Sequence, residues 1–291
     1  MTKEEFFALC AEGVVLLDGA TGSNLMKRGM PRGVCAEAWI AAHPEALLEL
    51  QREYAAAGTQ ILYAPTFSAN AFSLGRHGLA ERVTELNARL VALTRSAAGN
   101  AAVAGDMTTT GIPLEPIGSM TYGTLFELYA QQAQALAEAG ADLLVVETML
   151  GIDETAVALE AAQSVCELPV MCSLSLQSDG TAYFGGGCVE AVQTLQELGA
   201  CAVGVNCSFG PEQLLAPVRN MKAAARIPLL VKPNAGMPVI TERGEAVYPM
   251  TPEEFACQMK RLVAVGAALV GGCCGTTPAH IAALRTALTT A

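Results

Sequence analysis

The stretch AEAGADLLVVET, Ala137 to Thr148, passes from helical spacing through a glycine into an unbroken apolar run. A glycine closing a helix accepts the left-handed conformation without a Cβ penalty. An apolar run without polar alternation reads as a strand covered on both faces, as in a parallel sheet. The same device recurs at Gly58 before ILYAPTF, at Gly199 before CAVGVNC and at Gly266 before ALVGGCC. Between these copies lie VVLLD (Val14 to Asp18), AAVAGD (Ala101 to Asp106), PVMCSLSL (Pro169 to Leu176) and PLLVKP (Pro228 to Pro233). Segments with helical spacing follow them, among them PEALLELQREYAAAG, LFELYAQQAQALAEAG, PEQLLAPVRNMKAAA and TPEEFACQMKRLVAVG. Eight strand-then-helix units specify a single-domain (β/α)8 TIM barrel over residues 1–291. A doubly wound open sheet competes less well, because no glycine fingerprint follows the first strand.

The composition bounds the function. With 52% hydrophobic residues, few aromatics and many Ala, Leu, Val and Gly, the 291-residue chain can bury a large core. A formal net charge of −11 and no Lys/Arg run argue against nucleic acid or anionic membrane as a partner. No signal-like N-terminus is present and no apolar run reaches about 18 residues, so a cytoplasmic location is expected. The ten cysteines are then thiols or ligands and not a disulfide framework.

The register places few polar or sulfur residues at strand C-termini: Asp18, Thr66, Asp106, Glu147, Cys207, Asn234, Cys273 and Cys274. Cys207 and the adjacent pair Cys273-Cys274 fall on strands 6 and 8, near one rim. Neighbouring cysteines make a strained disulfide, which leaves a metal site, a redox pair or packing. Three thiolates with one open position is a catalytic zinc arrangement, whereas a redox dithiol would favour a Cys-x-x-Cys that is absent. Zinc held by three thiolates suits binding and activating a substrate thiol for S-alkylation. The remaining cysteines, Cys10, Cys35, Cys166, Cys172, Cys188, Cys201 and Cys257, are read as packing. His43, His77 and His280 lie away from strand ends, which disfavours a histidine-based zinc hydrolase. Asp18 and Glu147 are either strand-end carboxylates bonded to nearby N–H groups or partners for a substrate ammonium. The small residues of DGATGSN could turn backbone amides toward a carboxylate.

LLDGATGSN, the Thr-Phe of APTFSAN, VVET, GVNCSFGPE, PNAGMP and GGCCGTTPAHI together resemble the homocysteine S-methyltransferases, and among them the homocysteine-binding module of cobalamin-dependent methionine synthases. The resemblance implies zinc on Cys207, Cys273 and Cys274 and homocysteine bound through sulfur. It implies Asp18 and Glu147 at the substrate amino group, with Gly19, Ala20, Thr21, Gly22 and Thr66 at its carboxylate. Asn234 is expected to supply the fourth zinc ligand when substrate is absent. The chain departs from the family pattern at Thr108-Thr109, where Gly-Pro is usual, and at Pro65, where Asn often precedes the Thr; both bear on the substrate rim. Folate- and cobalamin-binding modules do not follow the barrel in this sequence, and no Asp-x-His-x-x-Gly is present. The expected donor is therefore a methylcorrinoid (methylcobalamin) carried by a separate corrinoid-binding protein, with S-methylmethionine or betaine as alternatives. From other classes, a non-catalytic thiol-delivery subunit and a cysteine-redox enzyme stay open.

Overall fold

A computed structural model of the chain describes residues 1–241 and 246–290. Its apolar runs form parallel strands: β1 (Val15–Leu16), β2 (Ile61–Tyr63), β3 (Ala102–Thr108), β4 (Leu143–Met149), β5 (Val170–Leu174), β6 (Ala202–Asn206), β7 (Leu229–Lys232) and β8 (Ala267–Val270). They pair in the order β1-β8-β7-β6-β5-β4-β3-β2. A parallel bridge between Leu17 and Ile61 joins the two ends, so the sheet closes on itself.

One long helix follows each strand: α1 (Pro44–Ala57), α2 (Val83–Ala97), α3 (Tyr122–Glu138), α4 (Ile152–Val165), α5 (Cys188–Glu197), α6 (Leu215–Ala224), α7 (Pro252–Ala264) and α8 (Pro278–Thr289). The fold is the expected (β/α)8 barrel. Gly140 after α3 has φ +85°, and Gly58, Gly199 and Gly266 likewise adopt positive φ. The glycines that marked helix ends therefore serve as left-handed caps. At the start of α7, Thr251 and Glu254 form a capping box ahead of Pro252. Helix α6 begins at Leu215 and not at Pro211. Pro217 has no N–H to give, so it fits the first turn, where those groups are unpaired anyway.

Alternation along the strands divides the core in two. Every second residue points outward to the helices, as Val103, Leu144, Val146, Val203, Val205 and Val231 do. The others meet inside the barrel: Val15, Leu17, Ile61, Tyr63, Ala104, Leu143, Val145, Met171, Ala202, Leu230 and Leu269. The N-terminal helix Lys3–Ala11 adds the fully buried Phe6 to this inner cluster. Carried two residues further, the same alternation aims Asp106, Glu147 and Lys232 inward above the apolar layers.

Loops after the strands carry the irregular structure. The loop after β1 was not anticipated as a structured one, yet it holds two short helices, Gly22–Lys27 and Ala36–Ala42. The loop after β7 includes the antiparallel pair Val239–Ile240 and Ala246–Val247. Among the packing cysteines one expectation fails: Cys257 is exposed. It sits on a solvent-facing position of α7, where a thiol fills no gap. His43 and His77 are exposed, and His280 is buried against Thr277 and the Met250 carbonyl. Among the described residues no helix is long and apolar enough to cross a membrane.

The tightest backbone approach in the barrel is at Gly204 on β6, where a Cβ would stand 1.7 Å from the Leu230 carbonyl oxygen of β7. Gly204→Ala is expected to destabilise the fold by about 3 kcal/mol or more through overpacking against backbone. Thermal melting checks this; an unchanged midpoint would contradict the register of β6 on β7.

Candidate metal and substrate site

The site is assembled where strands β6, β7 and β8 end. Cys207 follows β6 and has φ +58°, and Ser208 has φ +57°. Left-handed backbone in two consecutive non-glycine residues is strained, and here it turns the thiol back over the barrel. The Cys207 N–H donates to the Lys232 carbonyl at 3.0 Å and the Cys273 N–H to the Pro233 carbonyl at 2.7 Å. These bonds hold both cysteines against the end of β7. The Ala235 N–H donates to the Cys274 carbonyl at 2.9 Å.

The glycines around the thiol pair are a steric requirement. A Cβ on Gly272 would stand 2.4 Å from Thr276 Oγ1, and one on Gly271 would stand 2.5 Å from the Asp18 carbonyl oxygen. Thr276, fully buried, donates to the Cys273 carbonyl at 2.7 Å and accepts from the Ala20 N–H at 3.0 Å. Asn24 adds a second tie, donating to the carbonyls of Ala20 and Thr276. The β1 loop and the GGCCGTTP turn are thus one bonded unit.

As a result, the sulfurs of Cys207, Cys273 and Cys274 lie within 4.8 Å of one another. Those of Cys207 and Cys274 are 3.9 Å apart. Tetrahedral zinc–thiolate bonds would set sulfurs about 3.8 Å apart, so the donor set fits that ion. Hydrogen bonds from Cys207 and Cys273, against the opposing effect of burial, bring the Cys274 pKa down to about 3. The Tyr248 hydroxyl also lowers it. Holding all three sulfurs as thiolates at once takes a metal's charge. Asn234, 3% exposed, lies at the end of β7. Its Oδ1 is buried without a hydrogen-bond partner, the condition expected of an oxygen kept for a ligand.

Beside the thiols opens a cavity of about 820 Å³, a volume suited to a small ligand with room to spare. Its wall includes Asp18, the Gly19–Gly22 turn, Asp106, Glu147, Lys232, Cys273 and Cys274. The two acids predicted as ammonium partners are not equivalent. Asp18 Oδ1 is 2.8 Å from Lys232 Nζ, and Oδ2 accepts the Tyr63 N–H at 2.8 Å. Asp18 therefore pairs with the Lys232 ammonium while also lining the cavity. Glu147 remains available, beside Asp106. Burial and then the Glu147 charge raise the Asp106 pKa well above the usual carboxylate range.

Two further expectations are corrected. Thr66 is fully buried, its hydroxyl donating to the Asp106 carbonyl and accepting the Asp106 N–H. It braces β2 on β3 and offers nothing to the cavity. The Ala20 N–H is taken by Thr276, which leaves Gly19, Thr21 and Gly22 as the amides of that turn. The unusual threonines have a structural cause as well. Thr109 Oγ1 and the N–H and Oγ1 of Thr110 all donate to the carboxylate of Glu154 on α4, as does Tyr129. Thr108 Oγ1 donates to the Glu147 carbonyl.

Sequence reasoning missed Lys232 and Asn206. Asn206, 1% exposed, bonds Thr148 through both side-chain atoms and accepts from Ser173. It steadies Thr148, another residue with positive φ, directly after Glu147. Both missed residues sit at inward strand positions, so the alternation that places Glu147 also places them.

A thiol triad over an acid-lined barrel mouth makes this a barrel with a candidate thiolate metal site. A family model for homocysteine S-methyltransferase matches residues 15–288, and the chain belongs to that family. It is 31% identical over 290 residues to methionine synthase of Mycobacterium tuberculosis and 31% identical over 295 residues to that of Mycobacterium leprae. The matches cover 93% of this chain and 24% of each relative, so the chain spans about a quarter of their length. It also resembles the crystal structure of the metallated homocysteine methyltransferase MmuM from Escherichia coli, with TM-score 0.81 and 26% identity over 96% of this chain and 98% of that one. The oxidised form of MmuM matches with the same TM-score and identity.

Thr276→Val keeps the volume but removes both bonds of the bridging hydroxyl. The variant is expected to lose about 1–3 kcal/mol of stability, the cost of leaving buried polar groups unpaired. In the metal-free protein Cys273 and Cys274 should then react faster with a thiol reagent. Equal labelling rates and an equal denaturation midpoint would dismiss Thr276 as the brace of the thiol turn.

Proposed function

We propose that the protein is a zinc-dependent methyltransferase that moves a methyl group onto the thiol of L-homocysteine to give methionine. The observation that carries this reading is the convergence of Cys207, Cys273 and Cys274 to zinc-ligand separation at the wall of a cavity holding acid and ammonium groups. Zinc on these three thiolates keeps a substrate thiol deprotonated yet nucleophilic at neutral pH. The other roles belong to the chain's own residues. Glu147, with Asp106, takes the ammonium of the amino acid, and the amides of Gly19, Thr21 and Gly22 face its carboxylate. Asn234 Oδ1 completes the donor set when no thiol is bound. Methyl transfer forms the sulfur–carbon bond as the donor's bond to that carbon breaks, and the thiol proton leaves to solvent.

For the donor, we favour a methylcorrinoid carried by a separate protein. The rim around the cavity exposes Met237, Val239, Ile240 and Val247, an apolar face suited to a broad, flat cofactor. The likeness to methionine synthases supports the same choice. The likeness to MmuM over nearly its whole length supports a second reading, in which a small methyl donor such as S-methylmethionine or betaine enters the cavity directly.

Metal analysis should find one zinc per chain. Cys207→Ser should lose it and lower methyl transfer by more than about a hundredfold, beyond the cost of losing an outer-shell partner. A donor panel of methylcobalamin, S-methylmethionine, betaine and S-adenosylmethionine, each with homocysteine, identifies the methyl source. No methionine from any donor with zinc-replete protein would sink the proposal.

A further inference from the structure

Lys232 is the cation that the site did not need for its fold. It sits at the last inward position of β7, its side chain 4% exposed, paired with Asp18 at 2%. Burying such a pair contributes little to stability, because desolvation offsets the attraction; an apolar side chain of similar volume would fill that layer as well. Burial opposes the charge, but Asp18 and Glu147 together hold the ammonium protonated.

The geometry leaves donor capacity unused. An ammonium has three N–H groups. Lys232 Nζ makes one hydrogen bond, to Asp18 Oδ1, and lies 3.5 Å from the centre of the Tyr63 ring. No further acceptor meets it among the described residues, and Lys232 forms part of the cavity wall. The cavity wall carries the acids Asp18, Glu37, Asp106 and Glu147 and the cations Arg32, Arg76 and Lys232, of which Lys232, at the end of β7, is grouped with Asp18. Asp18 is the ion-pair partner of Lys232, and Glu147 lines the same wall outside that pair. Glu147 can thus meet an ammonium while the spare N–H of Lys232 meets an anionic oxygen.

We propose that Lys232 is a specificity residue that binds the substrate's carboxylate, so that the site reads a thiol bearing a zwitterionic amino-acid head through Lys232 and Glu147 together. This rests on the homocysteine reading and deepens it. It assigns the carboxylate to a side chain and not to backbone amides alone, and it excludes aminothiols lacking a carboxylate.

The test measures binding by calorimetry on the zinc-replete full chain, with no methyl donor. The three ligands are homocysteine, 4-mercaptobutanoate, which lacks the ammonium, and 3-aminopropane-1-thiol, which lacks the carboxylate. Lys232→Met should weaken homocysteine and 4-mercaptobutanoate roughly 10- to 100-fold, the value of a hydrogen bond to a charged group. Binding of 3-aminopropane-1-thiol should change less than about threefold, since that ligand never used Lys232. Glu147→Gln should show the reverse preference, sparing 4-mercaptobutanoate. The double variant Asp18→Asn with Lys232→Met removes both buried charges and should repeat the Lys232→Met pattern, so a misfolded single variant does not leave the question open. Equal weakening of all three ligands, or of none, would overturn the assignment. A wild-type chain that discriminates as described yet makes no methionine would defeat the proposed activity and leave this assignment standing. A wild-type chain that binds none of the three overturns both.

Discussion

Closure of the parallel sheet sends every second side chain of eight strands into one narrow interior. Lower down, Val15, Leu17, Leu143, Val145, Leu230 and Leu269 fill it, and Phe6 adds to the packing from outside the sheet. Apolar contact suffices there, because no water remains to satisfy a polar group. Two residues higher the strands end, and the same positions become Asp106, Glu147, Asn206 and Lys232. The site is the top layer of the core, made polar where the barrel opens.

A polar layer at that depth has to balance its own charges. Asp18 and Lys232 answer each other at 2.8 Å, burial and the Glu147 charge push the Asp106 pKa up, and Asn206 links Thr148 to Ser173. The thiol triad poses the same problem in a stronger form, since one thiolate can be held by neighbouring S–H groups and three cannot. Each strained or crowded feature around it serves convergence. Left-handed Cys207 and Ser208 redirect one sulfur, while Gly271 and Gly272 let the other turn pack against Asp18 and Thr276.

Much of this was legible in the chain. Apolar runs, four of them introduced by a helix-end glycine, place all eight strands, and the motifs around Cys207 and Cys273-Cys274 point to one rim. Those signals are local: each depends on backbone conformation or strand period within a dozen residues. Thr66 was misread because a strand-end position does not say which way its hydroxyl turns, and here it turns to the Asp106 backbone. Cys257 was misread because composition says that thiols are buried on average, while this position faces solvent on α7.

The pairing of Asp18 with Lys232 lies beyond any local signal, for 214 residues separate them. Alternation along PLLVKP implies that Lys232 points inward, but only closure of the ring brings the ends of β1 and β7 to either side of β8. By itself, then, the sequence determined the barrel, the three converging thiols and the acidic strand ends, since period and turn chemistry act over short range. The tertiary structure alone decided that the inward ammonium of Lys232 pairs with Asp18. That pairing depends on distances between charges from opposite ends of the chain, and Coulomb energy in a buried site is set by those distances.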